Sequence, residues 1–201
     1  MKKLLTFCFT FLFVMSSASA QSTYVTSMKG NVNVRTAPST TAQKAGSLST
    51  SDLVPCIEEL DGWYKIDFNG KDAYVAQSVA TTCDAVIPDE MFGKDIESSE
   101  PWDKIHHQGT IRLDKIDQKH AAIHMEWMRV NLPAESSTYM SEIRDGKVVA
   151  THCVSTWIDT DRPVKEILED MGEPLEKTIP VGFNEFDNTI YFNGAVFSEY
   201  D

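Results

Sequence analysis

Apolar and polar positions alternate along most of the chain with a period of two, the spacing of strands that bury one face. Val32 and Val34 alternate with Asn33 and Arg35, and Tyr64, Ile66 and Phe68 with Trp63, Lys65 and Asp67. Ala73 and Val75 flank Tyr74. Farther on, Ile111 and Leu113 alternate with Arg112 and Asp114, and Ile123, Met125 and Trp127 with His124, Glu126 and Met128. The turns between these runs have their own chemistry. Asn69-Gly70, Asp145-Gly146 and Asn193-Gly194 each supply two residues that tolerate positive φ, as a two-residue hairpin requires. Pro38 stops the strand before it, and Ser39-Thr40-Thr41 continues a polar turn. One stretch leaves the period-two pattern. Asp161 as N-cap, Pro163 in the first turn, Val164, Ile167 and Leu168 on one side and Gly172 at the end predict a short helix between Arg162 and Met171.

These patterns predict a mainly β chain. A small N-terminal barrel is followed by an antiparallel β domain of six to eight strands, a sandwich or a closed barrel, with one short helix. A length of 201 residues suits one or two domains. Asp84 to Trp102, with Pro88, Gly93, Pro101 and Glu97-Ser98-Ser99-Glu100, has the composition of a linker. The expected division is 1–20 leader, 21–84 first domain, 85–102 linker and 103–201 second domain.

The leader reading rests on MKKLLTFCFTFLFVMSSASA. Lys2 and Lys3 precede an apolar run from Leu4 to Met15, and Ala18-Ser19-Ala20 forms a small-residue cleavage site, the order of a secretory signal peptide. The expectation is an exported protein, periplasmic or secreted, beginning near Gln21 and without a membrane span. Net charge is −12, and removing Lys2 and Lys3 leaves 16 basic against 30 acidic residues, or −14. Such a surface repels phosphate backbones, so nucleic acid is not an expected partner.

The stretch Asn31 to Val75 carries more than periodicity. Asn33, Val34, Arg35, Pro38, Ser39, Gly62, Trp63, Tyr64 and Gly70 stand where the bacterial SH3 (SH3b) family has its characteristic residues. From about Tyr24 to Cys83 the chain resembles that family, with two departures. Ala73 stands where the family often has Gly, and Gln77-Ser78-Val79-Ala80 where an aromatic often follows the last strand. The resemblance implies a small SH3-like barrel that binds, with a cell-wall peptide of the peptidoglycan type or an envelope protein as its ligand. Trp63 and Tyr74 fall on outward faces by parity, which suits a binding surface. Arg35 has two readings, pairing with a ligand carboxylate or with Glu58-Glu59 of its own chain. Asn33, Arg35, Trp63 and Tyr74 are the candidate ligand-binding residues.

The second half carries no comparable motif. After cleavage three cysteines remain, and an oxidising compartment would permit Cys56 to pair with Cys83, a link worth about 3 kcal/mol. Two separate thiols are the other reading. Cys153 sits in a strand pattern beside His152, and neighbours in a strand point to opposite faces, so the two do not make a nucleophile–base pair. All five histidines lie beyond residue 105. His120 and His124 are about 13 Å apart in an extended chain, too far to share an ion. A site composed from His107, His124 and a carboxylate is the metal reading, and surface histidines are the bland one. No catalytic residue, cofactor or metal is expected.

The function expected is therefore that of an exported, non-enzymatic binding protein. One alternative is an envelope hydrolase, marked by Cys153 near His124 or by Glu126 and Asp159 meeting in one cleft. Another is a carrier whose Met125, Trp127, Phe192 and Phe197 line an apolar cavity.

Overall fold

The computed structural model describes residues 23–50, 52–98 and 106–198, without the side chains of His106 and His107. The expected leader, its cleavage site and the end of the expected linker lie outside those residues. The alternating stretches are strands. The first seven are β1 (Thr23–Ser27), β2 (Val32–Arg35), β3 (Lys44–Leu48), β4 (Val54–Leu60), β5 (Trp63–Asp67), β6 (Asp72–Ala76) and β7 (Ala80–Asp84). A 3-10 turn at Asp89–Met91 leads to β8 (Asp95–Ser98), β9 (His106–Lys115), β10 (His120–Arg129), β11 (Leu132–Arg144) and β12 (Lys147–Val154). After α1 (Val164–Glu169) come β13 (Glu173–Pro180), β14 (Gly182–Asn184), β15 (Thr189–Phe192) and β16 (Ala195–Phe197). The protein is mainly β, with a single short helix among the described residues.

The strands form two sheets. A curled ten-stranded sheet runs β16-β15-β14-β7-β1-β4-β5-β6-β2-β3, and a six-stranded antiparallel sheet runs β13-β12-β11-β10-β9-β8. Parity decides the core of the first. Val32, Val34, Ile66, Ala73 and Val75 point inward with Val25 and Leu48, and Tyr64 and Phe68 pack against them. The tight turns have the conformation that their dipeptides favour: Asn69 and Gly70 at φ 57° and 77°, Asp145 and Gly146 at 53° and 77°, Asn193 and Gly194 at 44° and 94°.

The second sheet buries Ile111, Leu113, Ile123, Met125 and Trp127 on one face, against Phe183, Ile190, Phe192 and Phe197 of the other sheet. Met125, Trp127, Phe192 and Phe197 are thus packed side chains, all at most 3% exposed. The Trp127 ring lies across Gly109, its partner in β9, where a Cβ would come within 2.6 Å of it. On the opposite face Ala122, Met140, Ile158 and Ile167 make a smaller cluster under α1 and the segment leading to it.

One reading left open by the sequence is resolved, and two expectations change in detail. Cys56 and Cys83 are free thiols. Strand β1 lies between β4 and β7, and Tyr24 pairs with both Pro55 and Cys83. Cys56, next to Pro55, therefore faces away from Cys83, one toward the barrel core and the other toward Gly182. The helix is shorter than expected: Val164–Glu169 preceded by Pro163, with no side-chain cap. Asp161 instead donates its backbone N–H to the Asp159 side chain at 3.0 Å, while Gly172 ends the segment at φ +82°. Finally, the stretch expected as a linker places Met91 and Ile96 in the main core.

The two sheets are joined at several points. Val86, just after β7, bridges to Lys147 of β12, and Ser198, just after β16, donates its backbone N–H to the Glu97 carbonyl of β8 at 3.1 Å. Within the ten-stranded sheet, Phe183 of β14 pairs with Asp84 of β7. Strands β14 to β16, from the range expected as the second domain, thereby extend the sheet begun by the first.

Candidate ligand-binding face

The outward side of the barrel is built by the same alternation that builds its core. Every inward residue puts its neighbours outside, and register then sets which of them meet. Glu58 of β4 stands opposite Lys65 of β5, Lys65 opposite Tyr74 of β6, and Tyr74 opposite Arg35 of β2. Directly opposed side chains have Cβ atoms about 5 Å apart. The result is a continuous row across four strands. A second row, Leu60–Trp63–Ala76, lies two residues along, roughly 7 Å away. Asn33 continues the face beyond Arg35, opposite Ser47 of β3. All four residues selected from the sequence therefore share one face.

Their environments differ. Asn33 is exposed, while Arg35, Trp63 and Tyr74 are half-buried. Arg35 donates from Nη1 to the Ala42 carbonyl at 2.7 Å, which ties its guanidinium to the loop after β2. That loop is itself braced by Thr36 N–H to Gln43 O and Ala42 N–H to Ser39 O. Of the two readings for Arg35, pairing with Glu58-Glu59 is not what forms: Lys65 and Tyr74 stand between Arg35 and Glu58. A guanidinium has five N–H donors, so donors beyond the Ala42 bond remain for a carboxylate. Lys65 is bound to Asp72 at 2.7 Å, and that bond raises its pKa.

In chemical terms the face offers two aromatic rings, a fixed guanidinium and an amide side chain. That combination suits an extended polar ligand with a carboxylate, such as a peptide.

The polar residues of the second half are arranged differently from the sequence alternatives. Cys153 pairs with Tyr139, and Val154 stands opposite Thr138, which is opposite His124. Cys153 and His124 thus face opposite sides of the sheet. Burial raises the Cys153 pKa. Glu126 and Asp159 line two clefts separated by Trp157. His120 is bound to Asp117 at 3.0 Å, and His107 lies outside the described side chains. Among the described residues no three His, Cys, Asp or Glu side chains are grouped to hold a metal ion. What sequence reading missed is a polar row around buried His124; strand alternation assigned that residue to a face but said nothing of its neighbours.

Residues 30–80 match the family described as the bacterial SH3 domain. The match runs from just before β2 to the first residue of β7 and contains all four residues of the face. No family matches the C-terminal half. No curated protein and no solved structure matches the chain.

Proposed function

We propose that this protein is an exported binding protein whose bacterial SH3 domain takes up a cell-wall peptide of the peptidoglycan type. The observation that carries the reading is the single face shared by Asn33, Arg35, Trp63 and Tyr74, inside the matched residues. Such domains commonly bind cell-wall components, which supports the choice of ligand. In this reading Trp63 and Tyr74 supply flat apolar area with little rotamer entropy to lose. Arg35 is held in place by Ala42 and takes the peptide carboxylate through its remaining donors. Asn33 reads the peptide backbone. The signal-like leader supports export, and the acidic surface keeps the protein solvated in the envelope.

The test is a pull-down of the protein on purified peptidoglycan beside a Trp63→Ala/Tyr74→Ala variant. Retention of the parent and loss in the variant is the expected outcome. Retention of neither protein overturns wall binding, and equal retention of both moves the function away from this face.

A further inference from the structure

We infer that the cleft beside His124, on the outer side of the six-stranded sheet, is a binding site for a primary alkylammonium group. The inference stands apart from the wall-binding reading, because none of its residues belongs to the SH3-like face.

The cleft is floored by a cross-strand row. Asp95 of β8 stands opposite Arg112 of β9, Arg112 opposite His124 of β10, and His124 opposite Thr138 of β11. Thr138 determines the state of the imidazole. Its Oγ1 donates to the Thr156 carbonyl at 2.8 Å, and a carbonyl only accepts. The one hydroxyl proton is thus committed, so His124 Nδ1, at 2.9 Å, must donate to Oγ1. Ile158 N–H donates to the same oxygen at 3.3 Å. The proton of the neutral ring sits on Nδ1, which leaves Nε2 with a bare lone pair.

That lone pair is buried and has no hydrogen-bond partner; His124 as a whole is 1% exposed. It points to Asp114 Oδ2, 3.5 Å away. Two acceptors therefore face each other, and the ring nitrogen has no donor. Arg112 does not supply one to the ring: its Nε is bound to both Asp114 oxygens, at 2.9 and 3.0 Å. An acceptor left without a donor in such a place costs on the order of 1–3 kcal/mol, a standing incentive to take up a donor ligand.

The chemistry of the missing partner follows. It must donate at least two hydrogen bonds from one small centre, to Nε2 and to the Asp114 carboxylate. It must also carry positive charge, since Asp95, Glu97, Asp114 and Glu126 outnumber the lone guanidinium of Arg112 around the cleft. An ammonium has three donors and one charge. A metal ion fits less well, because no third ligating side chain joins the pair among the described residues. Anions are repelled.

Trp157 supplies the remaining wall. Its ring stacks on His124 with centroids 3.8 Å apart and an interplanar angle of 13°, yet the residue is 51% exposed. It sits in the irregular segment between β12 and α1 and lines both this cleft, about 340 Å³, and the one bounded by Asp159, Arg162 and Asp170. The open side of the indole receives the alkyl stem, with cation–π attraction to the ammonium as it enters. Outward movement of the indole admits the ammonium to Nε2.

The experiment titrates the protein with Nα-acetyl-lysine amide, following binding by calorimetry and the His124 ring nitrogens by NMR. Nα,Nε-diacetyl-lysine amide is the neutral control, and 1,5-diaminopentane in parallel separates a free amine from a lysine held in a peptide. Zinc chloride is the metal arm. Expected are binding of one or both amines, none of the diacetylated control, movement of the Nε2 resonance, and at least tenfold weaker binding in Asp114→Asn and Glu126→Gln. Glu126 is exposed, so its variant keeps the test valid if Asp114→Asn fails to fold. Failure of both amines to bind the parent and a Trp157→Ala variant overturns the inference. So does equal binding of the control, full affinity in Glu126→Gln, or binding of zinc alone.

Discussion

Lowering the pH should expose the cost of charging His124. An ordinary histidine has a pKa of 6.5, and in the folded protein that of His124 is lowered to about 4. Burial is the main cause; Arg112 adds to it, while Asp114 and Asp95 pull the other way. Between these two values the unfolded chain takes up a proton that the folded chain refuses. Stability from this group is therefore whole above pH 6.5 and is lost as pH falls toward 4. The gap corresponds to about 3 kcal/mol, a large share of the 5–15 kcal/mol typical of a folded domain. Urea unfolding between pH 7.5 and pH 4 measures it, with His124→Asn as the control. Asparagine reaches as far as the Nδ1 position, so the variant retains a donor to Thr138 but has nothing to titrate. Carboxylates elsewhere affect both proteins equally and cancel in the difference. The parent is expected to lose about 3 kcal/mol more than the variant over this range. Parallel curves, or an NMR titration of His124 near 6.5, would refute the tautomer and burial argument.

Three further outcomes follow from the packing. Thr138→Val preserves shape but removes the oxygen shared by His124, Thr156 and Ile158; a loss of about 1–3 kcal/mol is expected in urea unfolding. Gly109→Ala places a methyl 2.6 Å from the Trp127 ring, and thermal unfolding should show about 1–3 kcal/mol of destabilisation from overpacking. Cys56 and Cys83 should both alkylate with iodoacetamide in denaturant without prior reduction, and a linked peptide in mass spectrometry would refute the β4-β1-β7 order.

The first half was legible because its signals are local. Alternation fixed which side of β5 and β6 is buried, and Asn69-Gly70 set the register between them, so Trp63, Tyr74 and Arg35 fell on the outer side by arithmetic. The same logic placed Ile123, Met125 and Trp127 in the core. It failed where distant segments cooperate. Ile96 reads as one apolar residue in a polar run, and only pairing with Ile111 makes it core. Pro133 and the turn at Val130-Asn131 gave no hairpin signal, yet β10 and β11 pair from His120 to Arg129 through a positive φ at Asn131 alone. The His124 cleft takes side chains from four strands and a loop, and no spacing in the sequence brings Trp157 over an imidazole.

The pairing of Phe183 with Asp84 has a consequence for the order of folding. Nearly a hundred residues separate the two, so the polymer emerging during synthesis presents β7 long before its neighbour exists. Until β14 arrives, the β7 edge has unsatisfied backbone groups, the kind of template that recruits a foreign strand. A partly made chain carries that open edge, the kind of unpaired strand that makes an incomplete fold prone to aggregate. Docking of β14 to β16 covers it and extends the seven barrel strands into a ten-stranded sheet.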